Sequence, residues 1–163
     1  MSMDISKMLE EFDRTLPHFS DGRIDYSASQ KALVLTCFPA YANEILILKR
    51  SEKVGTYRGI WNAVAGYIDE NKPLKEKIME EISEELGIPI NTIEEIKIGK
   101  TYEFTDEEIN RTWIVIPSLA MLQMKPEIKL DWEHTDCKWI KPEKMCDFSL
   151  VPMLEKSFKN INL

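Results

Sequence analysis

Cysteine and histidine are scarce in this chain of 163 residues: three of the first, Cys37, Cys137 and Cys146, and two of the second, His18 and His134. The cysteines are odd in number, widely spaced and without a CxxC pair, which speaks against a disulfide framework or a zinc site. No stretch approaches the roughly 18 apolar residues of a membrane span. The opening segment MSMDISKMLEEFDRTL lacks the basic start and continuous apolar run of a signal peptide, so cytoplasmic residence is the expectation. Basic residues are outnumbered as well, 21 against 28 acidic ones for a net charge of −7. That is the wrong sign for gripping extended nucleic acid through its phosphates. An acidic chain acting on an anion needs positive charge brought in locally, and a divalent cation held by carboxylates supplies it.

What is present suits a globular protein: 44% hydrophobic and 30% charged residues, with no repeat, low-complexity tract or linker. A chain of this length can bury roughly 70% of its unfolded surface, and one domain over residues 1–163 is expected. Ile5, Met8, Leu9 and Phe12 recur at helical spacing before Pro17 and predict a short amphipathic helix. Residues 19–30 read as a loop or short strand. KALVLTCF (31–38) and EILILKR (44–50), joined by the turn-like PAYAN, read as two hairpin strands, the first apolar enough to be buried on both faces. A polar loop, SEKVGTYRG, leads to a further strand, WNAVAGYI (61–68). Downstream, EIKIGKTYEF, RTWIVIPSLAML and DCKWIKP read as strands, and a C-terminal helix is expected from about Pro152.

The period changes in PLKEKIMEEISEELG. Leu74, Ile78, Met79, Ile82 and Leu86 mark one face of a helix, with Pro73 suited to its first turn and Gly87 to its C-terminal cap. At about 100° per residue, Glu81 and Glu85 fall at the border of the apolar stripe, Glu85 between Leu74 and Ile78 in projection. Glu84 lies further round. Carboxylates three and four residues apart repel in a bare helix. Hard divalent cations, which prefer oxygen ligands, would offset that repulsion. A glutamate run alone reads as a solvated face; the glycines at fixed distances before and after it argue otherwise.

Taken from Gly66 to Ile88, the segment resembles the Nudix box: G, five residues, E, seven residues, then R-E-U-x-E-E-x-G-U with U a bulky aliphatic. Gly66, Glu81, Ile82, Glu84, Glu85, Gly87 and Ile88 fit without a gap. Lys72 stands where the family has glutamate and Glu80 where it has arginine, so a loop-to-helix brace with its charges exchanged is expected. The resemblance extends more loosely from about Lys31 to Asp147. It implies an α/β (α+β) fold, an α/β/α sandwich around a mixed sheet. The activity implied is metal-dependent hydrolysis of a diphosphate bond in a nucleoside triphosphate or another nucleoside diphosphate derivative.

Carried over by position, Glu81, Glu84 and Glu85 would hold Mg2+ or Mn2+, with the backbone carbonyl of Ala65 or Gly66. Glu133, in DWEHTDCKW, is the preferred general base, with Glu84 and Glu81 as the competing choices. Lys49, Arg50 and Arg58 are candidates for substrate phosphates, against a reading as plain surface charge. Trp61, Trp113 and Tyr102 could stack on a base or simply fill the core. His134, beside Glu133, could tune that loop or contact substrate or be incidental, and is given no catalytic role. The expected partner is a small nucleotide or diphosphate, with no extended nucleic acid and no membrane; family members are often dimers, which makes a homodimer a candidate assembly. Two other readings are a nucleotide sensor with a degenerate box and, lower, an isopentenyl diphosphate isomerase, which needs a reactive cysteine and a histidine-rich metal site. The proline that marks ADP-ribose hydrolases about 15 residues after the box is missing.

Overall fold

The structure, a computed structural model, describes residues 4–161; the first three residues of the N-terminal segment lie outside it. Eight strands form one mixed sheet. At its centre β1 (Lys31–Tyr41) runs parallel to β7 (Arg111–Leu122) over ten paired positions, Lys31–Thr112 to Ala40–Met121. Every other pairing is antiparallel. β1 is buried on both faces, as its continuous apolar run requires. It extends to Tyr41, so the turn shrinks from PAYAN to Ala42 and Asn43, with Ala42 at φ 53°.

Two expected strands are each divided. WNAVAGYI separates into β3 (Trp61–Asn62), which pairs with β2 (Glu44–Arg50), and β4 (Val64–Tyr67), which pairs with β1. β1 therefore changes partner along its length: Ala40 and Tyr41 pair with β2, whereas Val34–Cys37 pair with β4. The strands β2 and β1 diverge there, and the divergence opens a cleft in the sheet. EIKIGKTYEF likewise breaks at Gly99 into β5 (Ile93–Ile98) and β6 (Tyr102–Asp106), both on β7. Pro117 sits opposite this break. It has no N–H to give a ladder, and its carbonyl accepts from Gly99 N at 2.8 Å. β8 (His134–Ile140) covers β2.

Helices cover both faces, as the sandwich requires. On one face α1 (Ile5–Thr15) and α2 (Leu74–Leu86) pack through Leu9, Ile78, Ile82 and Leu86 onto Leu33, Leu35 and Cys37. On the other, the short α3 (Leu154–Lys159) packs through Leu154 among Phe38, Ile45, Ile47, Trp61 and Leu119. Among the described residues, no helix is long and apolar enough to cross a membrane.

Candidate active site

Helix α2 is anchored by Ile78, Ile82 and Leu86, all with no exposed surface, each burial worth about 1.5–3 kcal/mol. That anchoring carries Glu85, on the same stripe, into the interior, where it is 2% exposed. The helix ends at Gly87, in the left-handed region at φ 67°, its N–H on Ser83 O. Two more of its terminal carbonyls accept from a later segment: Leu86 O from Lys129 N at 2.8 Å and Glu85 O from Asp131 N at 3.2 Å. These bonds satisfy groups a helix end leaves open, and they dock residues 129–134 against Glu85.

Asp131 then shapes that loop. Its carboxylate accepts from Glu133 N at 3.2 Å and lies 3.1 Å from His134 Nδ1. With Nδ1–H donating to Asp131, Nε2 carries a lone pair and stands 3.5 Å from Glu85 Oε1. Ligand atoms of Glu85, Glu133 and His134 lie within 4.8 Å of one another. From the other side, Gly66 clears the way for Glu81: a Cβ at Gly66 would stand 2.5 Å from Glu81 Cδ and 2.7 Å from each of its oxygens. Glu81 and Glu85 lie four residues apart on α2, so their carboxyls are neighbours on one side of the helix.

Burial governs the protonation of this cluster. It pushes Glu81 up to about 7, helped by Glu84 and opposed by Lys77. Glu85 is raised well above the ordinary carboxylate range by burial, then by Glu81, Glu133 and Asp131. Glu133 is raised by burial and Asp131, with Arg50 opposing, while burial lowers His134 against the pull of Asp131. The Glu85 Oε2 atom is buried without a hydrogen-bond partner. Crowded carboxyl groups of this kind, one oxygen unpartnered and an imidazole nitrogen beside it, fit a divalent cation.

A stability consequence follows for the metal-free protein. Carboxyls raised in the fold contribute stability in full below the ordinary glutamate value of about 4.3, and lose it as pH rises through their folded values. In EDTA, the melting temperature is expected to fall between pH 5 and pH 8 as Glu81 passes about 7. Calorimetry across that range checks this, and added Mn2+ should flatten the profile. A profile equally flat with and without metal would contradict it.

The exchanged brace is present: Lys72 Nζ donates to Glu80 Oε2 at 2.8 Å. It belongs to a wider network, with Glu70 3.2 Å from Lys72, and Arg23 3.7 Å from Glu80 and 4.0 Å from Glu70. Of the other expected site residues, Glu84 is exposed beside the cluster and not within it. Arg50 pairs with His134 across the sheet, and its Nε donates to Thr56 O at 3.0 Å. Lys49, one residue earlier, pairs with Asp136, and the register shifts between it and Arg50. Arg58 is exposed, its Nε held by Val54 O at 2.7 Å.

A cavity of about 300 Å³ borders the cluster, with Arg50, Glu133, Ala65 and Gly66 in its wall. Lys49 and Arg58 do not line it. Tyr57, Tyr67, Phe104 and Trp113 give it aromatic walls, and Trp132, 62% exposed, stands at its mouth. Tyr102 and Ser157 close the inner end with hydroxyls 2.5 Å apart. Trp61, by contrast, is core. Tyr57 holds the 51–60 loop over the cavity. Its hydroxyl donates to Asp106 at 2.8 Å and accepts from Trp113 Nε1 at 3.1 Å, which offsets its left-handed φ of 52°. Sequence reading missed Asp131, His134 and Tyr57; the only local signal was the EH pair following an acidic residue.

The NUDIX domain model matches residues 31–160, so this chain belongs to the Nudix family and is a hydrolase of phosphoric anhydride bonds. It is 25% identical over 122 residues to the nucleoside triphosphatase NudI of Escherichia coli strain SE11, covering 70% of this chain and 84% of that protein. In fold it is similar to the MutT protein of Methanosarcina mazei Go1, with TM-score 0.67 and 24% identity over 81% of this chain and 93% of that one. It is also similar to the NUDIX domain of Shewanella oneidensis NrtR, solved in complex with ADP ribose, with TM-score 0.66 and 12% identity over 96% and 97%.

Proposed function

We propose that this chain hydrolyses a nucleoside triphosphate, or a nucleoside diphosphate linked to another group, with the help of Mg2+ or Mn2+. The observation that carries the reading is the junction at Ala65 and Gly66, where the aromatic cavity meets the buried Glu81–Glu85 carboxyls. The likeness to a nucleoside triphosphatase supports the same class. Stacking of a base on such rings is worth about 1–3 kcal/mol.

Glu81, Glu85 and, from the side, Glu84 would hold the cation, with His134 Nε2 and Glu133 at the same pocket. When bound, the cation would supply charge to offset the phosphate oxygens and would lower the pKa of the attacking water. Glu133 accepts that water's proton: it is half-buried and raised above an ordinary carboxylate, which suits a base working near neutral pH. Arg50 approaches the phosphates from the cavity wall. Asp131 orients His134, and Gly66 leaves room for the Glu81 carboxyl. Cys37 carries no chemistry here, because it is fully buried and burial pushes its thiol up to about 12. This removes the reactive cysteine that an isomerase would need.

The test is a panel of nucleoside triphosphates, nucleotide sugars, ADP-ribose, dinucleoside polyphosphates and base-free diphosphates, each with Mg2+ or Mn2+ and with EDTA. Cleavage should require metal and favour base-bearing substrates by about tenfold or more in kcat/KM, the equivalent of about 1.4 kcal/mol of stacking. Nucleotide binding without turnover on the whole panel would replace this reading with the sensor.

A further inference from the structure

We propose that the Lys77 ammonium is a tethered cation of the metal centre. From inside helix α2 it occupies a position among Asp69, Glu70 and Glu81 that a divalent ion would otherwise take, so the chain binds one ion fewer than its carboxylates could hold. The inference rests on Glu81 and Glu85 being metal ligands.

Lys77 is 2% exposed, an unusual state for a charged lysine. Its Nζ lies 3.1 Å from Asp69, 3.2 Å from Glu70 and 3.8 Å from Glu81. Two of these anions belong to the loop after β4 and the third to the helix, so the ammonium joins the loop to the acidic cluster. Among the described residues, no other cation lies within 4.0 Å of Glu81 or Asp69. Glu70 is shared with Lys72, which in turn holds Glu80. Lys77 is thus the group through which the exchanged brace reaches a carboxylate of the centre.

Without Lys77, Asp69 and Glu81 would stand together with no cation within 4.0 Å among the described residues, and Glu70 would keep only Lys72 and Arg23. Hard oxygen donors in that arrangement recruit a divalent cation. The ammonium holds that position as a fixed single charge that does not exchange with solvent, which makes Lys77 a positioning residue for Glu81.

The experiment counts Mn2+ bound per chain, by the loss of the free-ion electron paramagnetic resonance signal, in the wild type, Lys77→Met, Lys77→Gln and Lys77→Arg. Both neutral variants should bind one more ion than the wild type, and Lys77→Arg should keep the wild-type number. Melting temperatures with and without Mn2+ form the second readout. Neutral variants destabilised without metal should gain more from Mn2+ than the wild type gains. Equal ion counts, or variants that Mn2+ does not restore, would make Lys77 only a structural ion-pair partner and overturn the inference. A wild type that binds no Mn2+ would instead fail the reading of Glu81 and Glu85 as ligands.

Discussion

Glu85→Gln should lower kcat/KM by about 10³-fold, since a bound metal supplies several kcal/mol of transition-state stabilisation and each 1.36 kcal/mol is tenfold. The same substitution should raise the melting temperature of the metal-free protein at pH 8. Glu85 is almost wholly buried, and burial together with Glu81, Glu133 and Asp131 opposes its ionisation. A neutral amide of the same shape removes that opposition, and each kcal/mol so released shifts the melting temperature by about 2–4 °C in a chain of this size. Steady-state kinetics and calorimetry on one preparation test both halves. A variant that loses activity because it is less stable would contradict the assignment, since the site interpretation requires the two quantities to move in opposite directions.

Gly66→Ala should cost activity far more than stability. The added methyl would lie 2.5 Å from Glu81 Cδ, so the carboxyl has to move. The atoms displaced are the end of a side chain and not backbone, so the fold should survive with a loss of about 1 kcal/mol, within the usual range for single substitutions. Glu81 would nevertheless leave its place between Gly66 and Glu85, and a misplacement of about 1 Å in a catalytic constellation can cost about 10²-fold. Gly99→Ala is the matched comparison. There the methyl would meet the Asn160 carbonyl at 2.6 Å and backbone that cannot swing aside, so stability should fall first. Circular dichroism melts and kinetics on the pair distinguish the cases; near-wild-type turnover in Gly66→Ala would remove Glu81 from the site.

Much of this site was legible because it is local. The 3.6-residue period put Glu85 at the border of the apolar stripe, between Leu74 and Ile78 in projection, and Gly87 marked the helix end, while the Lys72–Glu80 pair was expected from the resemblance to the Nudix box. What could not be read depends on partners far away in sequence. The division of residues 61–68 follows from β1 changing neighbours, which the apolar run itself does not encode. Lys77 lies off the apolar stripe of α2 and is nonetheless 2% exposed, its ammonium set against Asp69 and Glu70 of the preceding loop. His134 reads as an isolated loop histidine until the end of α2 docks residues 129–131 and brings it to Glu85. The aromatic cavity draws on β4, β6, β7 and α3 together, so no window of sequence contains it.

The brace between Lys72 and Glu80 also bears on how such a chain can change by mutation. The family pattern has the opposite charge at each position, and passing from one polarity to the other takes two substitutions. Lys72→Glu alone would set a carboxylate against Glu70 and Glu80; Glu80→Arg alone would set a guanidinium against Lys72 and Arg23. Either intermediate places like charges side by side. Arg23 and Lys77 lower the first of these barriers, because both supply positive charge to the loop whichever residue stands at position 72. The surrounding ions thus make one mutational route between the two polarities passable and leave the other obstructed.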